Sequence, residues 1–549
     1  MDTFDYVIVG AGSAGCVLAN RLTEDDGVTV LLLEAGGGDG SIFIQMPSAL
    51  SIPMNMPRYN WFYHSEPEPY LDGRRVHCPR GKVIGGSSSI NGMAYVRGNA
   101  LDYDRWQEEG AHGWSYADVL PYFKKAECRA EGGDDYRGDS GPLHTSRGTR
   151  RNPLYDAFVR AGVQAGYMAT ADMNGYQQEG FGPMDMTVRN GRRWSTANAY
   201  LRPALSRPGL RVVSGALATR VLFEGRKATG LEYTRGGQTH RAAARREVIL
   251  SGGPINSPQL LQLSGIGDGD RLKALGIPVA AHHPAVGENL QDHLELYIQQ
   301  RCRQPITLFS AQKPWRKLLI GIEWILFKSG LGATNHFETG GFIRSRAGIR
   351  HPDIQYHFLP MAVSYDGRSL AKAHGFQAHA GPMRSRSRGW VRLASPDPAQ
   401  APRILFNYMS HEEDRIEMRA CVRLTREIFA QEAFAPYRGE ELLPGAHVQS
   451  DAEIDAFVRQ HTESAFHPCG TCRMGSDAAA VVDPQLRVRD IDGLRVVDSS
   501  IMPSITSGNL NAPTIMLAEK AADIIRGRVP LPPSNAAAYI APNWQTAQR

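Results

Sequence analysis

The segment GAGSAG at residues 10–15 restricts the fold more than any other feature of this chain. It follows a short apolar run at residues 6–9, which suits a buried parallel strand, and residues 13–22 continue at helical spacing. A second apolar run, residues 28–33, ends at Glu34, which stands 19 residues after Gly15. The order strand, glycine turn, helix, strand, acid predicts a dinucleotide-binding βαβ unit at the N-terminus.

Each part of this unit has a physical role in holding a dinucleotide. The glycines permit a tight turn and a close approach of the backbone to a pyrophosphate, and the helix N-terminus offers it free N–H groups and a positive dipole end. Glu34 is placed to accept a hydrogen bond from a ribose 2′-OH, and it would repel the 2′-phosphate of NADP. The loop does not distinguish FAD from NAD, because both dinucleotides use it.

The distribution of apolar runs predicts how the domains are arranged. A chain of 549 residues is too long for one simple domain. Further strands are expected at residues 210–213, 247–250 and 494–497, and a last helix at residues 513–526. We therefore expect a nucleotide domain built from residues 1–300 and 465–549, with residues 301–464 as an inserted substrate domain. Residues 530–549 are expected to pack loosely.

Composition and cysteine usage exclude several classes of protein. The net charge of +5 is spread over many residues, which argues against a nucleic-acid partner. Seven scattered cysteines are not a disulfide framework, and the start of the chain does not resemble a signal peptide. Cys469 and Cys472 lack the second ligand pair of a structural zinc site, and Arg473 stands where a haem site needs histidine, so no metal is predicted.

One apolar stretch leaves two interpretations open. Residues 318–327 are too few to span a bilayer, which takes about 20 residues, and they include Glu323. The stretch suits a half-buried helix, and it also suits a helix that contacts a membrane surface.

Several longer segments carry a resemblance to a known family. They are GKVIGGSSSING at 81–92, GPINSPQLLQLSGIG at 253–267, RYNW at 58–61, GYQQEGFGPM at 175–184, NHFE at 335–338, QYHFLP at 355–360, FNYMSH at 406–411 and FHPCGTC at 466–472. Across nearly the whole chain the sequence resembles the choline-oxidising members of the glucose–methanol–choline oxidoreductase family.

The resemblance implies a fold and an activity. The fold is α/β (α+β), with an FAD-binding Rossmann-like domain and an inserted antiparallel-sheet substrate domain. The activity is oxidation of choline to betaine aldehyde, with possible onward oxidation to glycine betaine, and transfer of electrons to a quinone or the respiratory chain. The protein is expected in the cytoplasm or at the inner face of the cell membrane. A flavin-dependent dehydrogenase or oxidase of another primary alcohol and a non-catalytic FAD-binding protein are the alternatives.

The cofactor and its ligands follow from the same resemblance. Some members bind FAD covalently through a histidine, and this chain has Ile90 at that place, so non-covalent FAD is expected. The residues expected at the cofactor are Gly10, Gly12, Ser13, Gly15, Glu34, Ala35, Gly85, Gly86, Asn91, Gly92, Val221 and Asp498.

The reaction needs a base and, for choline, a site for a quaternary ammonium. Among 17 histidines the family match selects His467 as the base, with Asn511 as its partner. A quaternary ammonium has no N–H, so aromatic faces and a carboxylate must bind it. Glu338 is the predicted carboxylate, and Trp61 and Phe466 are the predicted aromatic wall.

Overall fold

A computed structural model describes residues 1–363 and 373–549. Its strands are Asp2–Val9 (β1), Val30–Glu34 (β2), Tyr63–His64 (β3), His77–Cys78 (β4), Ala94–Tyr95 (β5), Glu127–Arg129 (β6), Leu143–Arg147 (β7), Gly180–Pro183 (β8), Asp185–Met186 (β9), Val188–Arg189 (β10), Arg192–Arg193 (β11), Leu210–Ser214 (β12), Ala216–Glu224 (β13), Lys227–Arg235 (β14), Gln238–Leu250 (β15), Ile266–Gly267 (β16), Ala281–His282 (β17), Leu294–Cys302 (β18), Thr339–Ile343 (β19), Ile354–Leu359 (β20), Gly375–Pro382 (β21), Trp390–Arg392 (β22), Arg403–Leu405 (β23), Arg438–Leu443 (β24), Glu463–Ser464 (β25) and Leu494–Val496 (β26).

The α-helices are Ser13–Leu22 (α1), Ile42–Gln45 (α2), Ser51–Met54 (α3), Ala100–Glu108 (α4), Tyr116–Ala126 (α5), Pro153–Gln164 (α6), Arg202–Ala204 (α7), Gly253–Leu263 (α8), Gly269–Ala274 (α9), Pro314–Phe327 (α10), Glu412–Ala430 (α11), Asp451–His461 (α12) and Asn511–Ile525 (α13). In the part of the chain that the structure describes, no helix is long and apolar enough to cross a membrane.

The first large sheet holds the dinucleotide unit. It has seven strands, in the order β12-β2-β1-β15-β14-β13, with β26 paired to β15. The pairs around β1 are parallel, and β13, β14 and β15 form an antiparallel meander. β2 is buried along its whole length, as the unbroken apolar run at residues 30–33 predicts. The pairing of β26 with β15 brings residues from the two ends of the chain into one sheet.

The first and last helices of this domain lock together through one buried carboxylate. Glu519 of α13 accepts two hydrogen bonds from the guanidinium of Arg21 on α1, at 2.9 and 2.7 Å, and one from the Tyr200 hydroxyl at 2.8 Å. A fully buried carboxylate needs such partners to offset its desolvation. The contact joins the C-terminal end of α1 to the middle of α13.

The second large sheet is antiparallel, as predicted. It also has seven strands, in the order β24-β18-β21-β20-β19-β8, with β25 paired to β18. The predicted domain boundary at residue 301 falls inside β18, and β8 joins this sheet from residues 180–183. The second sheet therefore includes residues that were predicted to belong to the N-terminal half of the chain.

The C-terminal tail does not pack loosely. Gln548 Nε2 donates to the Arg344 carbonyl at 2.8 Å, and the Arg549 guanidinium pairs with Glu427 at 2.8 Å and lies over the Tyr167 ring. The prediction for residues 530–549 was wrong in this respect. Small and polar composition does not prevent docking when the tail supplies hydrogen bonds to a fixed surface.

Candidate active site

The glycine loop forms one wall of a deep cavity between the two sheets. Gly10, Gly12 and Ser13 line this cavity. Gly10 has a φ of +97°, and a Cβ atom there would lie 2.5 Å from the Ser251 carbonyl oxygen. Gly15 does not line the cavity, and a Cβ on it would lie 1.9 Å from the Gly10 carbonyl oxygen. Gly10 thus permits the tight turn against Ser251, and Gly15 lets α1 pack against the loop. Gly12, where a Cβ atom would meet protein atoms only at 3.9 Å, is the glycine that is open to a ligand.

Glu34 ends β2 at the edge of the same cavity. Its carboxylate accepts hydrogen bonds from Ala11 N at 2.9 Å and Gly36 N at 2.8 Å, and Ala35 lines the cavity next to it. Burial raises the pKa of Glu34 to about 7, against these two hydrogen bonds and the charge of Lys82. A ribose hydroxyl that donated to this carboxylate would favour its ionised form.

A second glycine segment meets the first. Gly86 has a φ of +53°, and a Cβ on it would lie 2.6 Å from the Gly12 Cα, so the two backbones touch. Gly86, Asn91 and Gly92 line the cavity, whereas Gly85, with a φ of +87°, makes the turn that precedes them. The close contact leaves a narrow cradle of bare backbone, which fits an extended dinucleotide.

Two side chains hold the walls of this cradle. Asn91 Oδ1 accepts from the Arg193 guanidinium at 2.8 Å. Asp498 accepts from Gly253 N at 2.9 Å and the Ser257 hydroxyl at 2.6 Å, and burial raises the pKa of its carboxyl. Asp498 lines the cavity and fixes the N-terminus of α8 at its floor.

Val221 is not at the cavity. Its backbone N–H donates to the Ser264 hydroxyl at 2.9 Å, and its side chain is buried in the sheet core. The cavity is lined instead by Ala216, Leu217 and Ala218, at the start of the same strand. The contact predicted at Val221 stays a prediction, since an apolar strand offers no local mark of which residue faces a ligand.

His467 lines the cavity and belongs to a chain of hydrogen bonds. His293 Nε2 lies 3.0 Å from the Met383 carbonyl oxygen, which can only accept, and Nε2 must therefore donate. In a neutral imidazole the other nitrogen, His293 Nδ1, is then an acceptor. His467 Nδ1 lies 3.1 Å from His293 Nδ1 and therefore donates a hydrogen bond to it. His467 Nε2 therefore carries no proton and accepts from Asn509 Nδ2 at 3.0 Å.

The surroundings keep the His467 imidazole neutral. Burial lowers its pKa well below the usual value, and His293, His357 and Arg80 add to the effect. The backbone of His467 is held by Asp292, whose Oδ1 accepts from His467 N at 2.7 Å. A neutral imidazole with a fixed tautomer is prepared to accept a proton at Nε2.

Asn511, the predicted partner of His467, contacts a different group. Its Oδ1 accepts from the Ser13 hydroxyl at 2.7 Å, which ties the start of α13 to the glycine loop. Both Asn509 and Asn511 line the cavity, but only Asn509 is hydrogen-bonded to His467. Asn511 is the first residue of α13 and Asn509 precedes the helix, so their side chains point in different directions. One asparagine therefore cannot take the place of the other.

Glu338 also lies elsewhere. Its carboxylate accepts from Arg150 N and from the Thr334 hydroxyl, the latter at 2.8 Å, and it lines a second cavity together with Arg147 and Thr149. Phe337, the preceding residue, lines the main cavity. On a chain segment entering β19, adjacent side chains point in opposite directions, and this turns Glu338 away from the predicted site.

Glu295 lines the main cavity, in addition to Glu34 and Asp498 at the glycine segments. It stands on β18, with its side chain 13% exposed and Oε1 3.2 Å from His379 Nδ1. Burial raises the pKa of Glu295, but His379, His357 and the hydrogen bonds from His379 and Tyr297 together outweigh burial, and the net pKa lies below its usual value. Glu295 is therefore an anion at neutral pH.

The aromatic wall includes the two predicted residues. Trp61 and Phe466 line the cavity with Phe337, His357 and His379. Trp61 is stacked with Tyr63, and Lys82 Nζ lies 4.6 Å from its ring centroid. Phe466 has a φ of +65°, and its N–H donates to the Ser464 hydroxyl at 2.8 Å. Ile90 also lines the cavity.

Sequence reasoning missed four residues of this site: Asp292, His293, Glu295 and Asn509. The segment QDHLE at 291–295 contains three of them. A signal was present, because residues 293 and 295 stand two apart where β18 begins, and such residues share one face of a strand.

Cys469 and Cys472 are buried thiols, and burial raises the pKa of both. Within residues 1–363 and 373–549, no group of three or more His, Cys, Asp or Glu side chains could hold a metal ion. The two cysteines pack in the core of the nucleotide domain.

The fold and the site together define a dinucleotide-dependent oxidoreductase. Family models add the particular family: the N-terminal GMC oxidoreductase model matches residues 4–295, and the C-terminal model matches residues 385–518. The chain belongs to the GMC oxidoreductase family.

Proteins of known name and structure resemble the chain over most of its length. An oxygen-dependent choline dehydrogenase from Brucella ovis is 59% identical over 547 residues, covering 99% of this chain and 100% of the relative. The mitochondrial choline dehydrogenase of Homo sapiens is 60% identical over 536 residues, covering 96% of this chain and 90% of the relative. The crystal structure of pyridoxine 4-oxidase from Mesorbium loti superposes with a TM-score of 0.87 at 32% identity, covering 96% and 100% of the two chains.

Proposed function

We propose that this protein binds FAD non-covalently and oxidises choline to betaine aldehyde. The observation that carries the proposal is the His467–Asn509 pair, which lies in one cavity with the glycine cradle, Glu295 and an aromatic wall. The choline dehydrogenases at about 60% identity over nearly the whole chain support the substrate. The cradle fits FAD because Gly10 and Gly86 let the two loops pack backbone against backbone, and Gly12, where a Cβ atom would meet protein atoms only at 3.9 Å, exposes bare backbone to the ligand.

When bound, the flavin supplies a hydride acceptor, and the protein must remove the hydroxyl proton. His467 Nε2 is the acceptor nitrogen in its hydrogen-bond network, and the low pKa of the imidazole keeps it unprotonated. Asn509 Nδ2 lies 3.0 Å from that nitrogen, so both groups can face one substrate oxygen that lies beside them, which would donate to His467 and accept from Asn509. The pair thus orients the hydroxyl and stabilises the negative charge that develops on its oxygen.

The trimethylammonium group would lie toward Glu295. A quaternary ammonium cannot donate hydrogen bonds, so an anionic carboxylate and the faces of aromatic rings are the groups that bind it. Glu295, Trp61, Phe337 and Phe466 line the same cavity as His467. Glu295 therefore takes the place of Glu338 as the proposed cation ligand, and Trp61 and Phe466 remain the proposed aromatic residues.

The electron acceptor is proposed to be a quinone. The Brucella relative carries oxygen in its name, so oxygen is the acceptor to compare. Steady-state rates with a soluble ubiquinone analogue in air-free buffer, set against the rate in air, measure the preference directly. A rate in air at least as high as the rate with quinone would contradict the quinone proposal.

Anaerobic mixing of the yellow holoenzyme with choline tests the central proposal. Choline should bleach the flavin absorbance at low concentration, and 3,3-dimethyl-1-butanol, its uncharged isostere, should bleach it only at much higher concentration. Loss of bleaching in a His467→Ala variant that retains its flavin would support the base assignment. If neither alcohol reduces the wild-type flavin, choline is not the substrate.

A further inference from the structure

Helix α10 presents an unusual surface for a soluble domain. Seven large apolar side chains in and at the end of this helix are each at least 43% exposed: Trp315, Leu318, Leu319, Ile322, Ile325, Leu326 and Phe327. Scattered exposed apolar residues are ordinary, but a contiguous set on one element marks an interaction surface. The helix lies between β18 and β19 in sequence and belongs to neither sheet.

The side of α10 that faces the protein is fixed by Trp324. This residue is 3% exposed, its Nε1 donates to the Gly191 carbonyl at 2.6 Å, and Lys328 Nζ lies 4.3 Å from its ring centroid. Residues 315, 318, 319, 322, 325 and 326 recur every three or four positions, so they form one stripe nearly opposite Trp324. We call this stripe the outward face of α10.

Positive charge surrounds the outward face. Between residues 313 and 328 the chain carries Lys313, Arg316, Lys317 and Lys328 but only one acid, Glu323. Apolar side chains bordered by cations on a single helix are the pattern of a helix that lies in the plane of a membrane interface.

The second cavity, which lies beside α10, is also lined by more positively than negatively charged side chains. Five basic side chains line it, against two acids, and its basic members are Arg147, Arg151, Arg189, Arg316 and Lys328. One of the acids, Glu338, already accepts hydrogen bonds from Arg150 N and Thr334. A basic surface next to an apolar stripe complements anionic lipid headgroups above acyl chains.

We propose that the outward face of α10 inserts into the headgroup region of an anionic lipid bilayer and docks the protein on the membrane surface. The stripe supplies apolar area to the acyl boundary, and the flanking cations contact the phosphates. This contact goes beyond the proposed oxidation of choline and does not depend on the substrate.

The docked surface adjoins the wall of the active-site cavity. The turn at residues 47–49 packs against residues 330–333, which follow α10. Leu50, which follows this turn, and Met54, which ends α3, line the main cavity, and Ile52 between them is 42% exposed. Membrane docking through α10 thus brings one side of the cavity close to the bilayer, where lipid-soluble electron acceptors reside.

Sedimentation of the holoenzyme with lipid vesicles tests the proposal. The vesicles combine phosphatidylethanolamine with a high or a low fraction of phosphatidylglycerol, which avoids choline headgroups that could enter the active site. The wild type should bind the vesicles rich in phosphatidylglycerol and bind the others less. A Leu319→Glu/Leu326→Glu variant should lose at least about tenfold in vesicle partition, since two apolar contacts worth more than 1.4 kcal/mol together are replaced by charges.

Matched variants separate this effect from general surface changes. A Val163→Glu/Leu205→Glu variant alters two apolar side chains of 45% and 54% exposure outside α10, and it should bind as the wild type does. A Lys313→Gln/Lys317→Gln variant should weaken binding mainly to the phosphatidylglycerol-rich vesicles. Flavin reduction by choline should be unchanged in all three variants. Vesicle binding and flavin reduction are therefore independent measurements, and a failure of the proposed substrate can be distinguished from a failure of the proposed membrane contact.

Three results would overturn the proposal. They are absence of wild-type binding to either vesicle, equal binding by the Leu319→Glu/Leu326→Glu variant, and a wild-type dimer that this variant dissociates while vesicles bind neither form. The last result would mean that a second copy of the chain covers the outward face.

Discussion

His467 Nε2 lies 3.0 Å from Asn509 Nδ2, and the Asn509 side chain also faces His357 and Gln355 through its Oδ1 at 3.2 Å. The amide is therefore oriented by the acceptors and donors on both of its ends. Its N–H group points at the nitrogen that would take the substrate proton. Asn511, two residues later, instead binds Ser13.

Replacing Asn509 by alanine should lower the rate of flavin reduction by choline about 100-fold, the usual loss for one donor aimed at a developing oxyanion. Asn511→Ala is the matched control, and it should retain the rate within a few-fold because it removes a contact to the loop rather than to His467. Stopped-flow absorbance under anaerobic conditions measures both rates. A larger loss for Asn511→Ala than for Asn509→Ala would contradict the assignment.

Glu295→Gln should weaken choline binding by roughly 30-fold, which corresponds to about 2 kcal/mol for a charge contact in a largely buried site. The glutamine keeps the shape and can still hydrogen-bond to His379, so the change removes mainly the charge. Binding of 3,3-dimethyl-1-butanol should be nearly unaffected. Saturation curves of flavin reduction for the two alcohols give both constants.

Glu338→Gln tests the rival position with the same substitution. Because the Glu338 carboxylate lies in the second cavity and is hydrogen-bonded to Arg150 N and Thr334, we expect little change in the constant for choline. If Glu338→Gln impairs choline selectively and Glu295→Gln does not, the cation site has been assigned to the wrong carboxylate.

The local features of the fold were predicted correctly from the sequence. The turn at Gly10, the acid at the end of β2, and a buried parallel strand before them depend on residues close together in the chain, and the structure has all three. The antiparallel second sheet and the family were also predicted correctly. Each of these features has a recognisable pattern of residue types at fixed spacing, so it can be predicted from a single sequence.

The parts of the site that the sequence missed depend on which way a side chain points. Glu338 and Phe337 are neighbours, but only Phe337 faces the main cavity, and Asn509 and Asn511 differ in the same way. A shift of one or two residues reverses or rotates a side chain without changing the local pattern. Such positions are decided by strand pairing and by where α13 begins.

The two glycines that meet across the cradle should respond differently to alanine. A Cβ on Gly86 would lie 2.6 Å from the Gly12 Cα, and its φ of +53° adds strain, so Gly86→Ala should destabilise the fold by about 2 kcal/mol or more. A Cβ on Gly12 meets protein atoms only at 3.9 Å, so Gly12→Ala should fold normally and lose flavin affinity. Thermal unfolding of the apoproteins and flavin content after purification separate the two effects. Normal flavin content in Gly12→Ala would contradict the placement of the dinucleotide.

Glu417 on α11 predicts a pH dependence of stability that is independent of the active site. Its Oε2 is buried with no hydrogen-bond partner among the described residues. Burial raises the pKa of Glu417 from 4.5 to about 8, and the nearby carboxylates Asp353 and Asp414 add to it. A carboxyl with a raised folded-state pKa stabilises the protein fully below its unfolded value, near pH 4.5, and this stabilisation is lost as the pH rises toward 8.

Glu417→Gln should therefore raise the melting temperature at pH 8, by an amount that corresponds to about 2 kcal/mol, and have little effect at pH 5. Scanning calorimetry of the holoenzyme between pH 5 and pH 8 measures the difference. Glu412→Gln on the same helix, with its side chain 54% exposed, serves as the control and should shift neither curve. A gain from Glu417→Gln that is equal at both pH values would mean that packing, rather than deprotonation of Glu417, limits stability, because only the ionised form of the wild type is unfavourable.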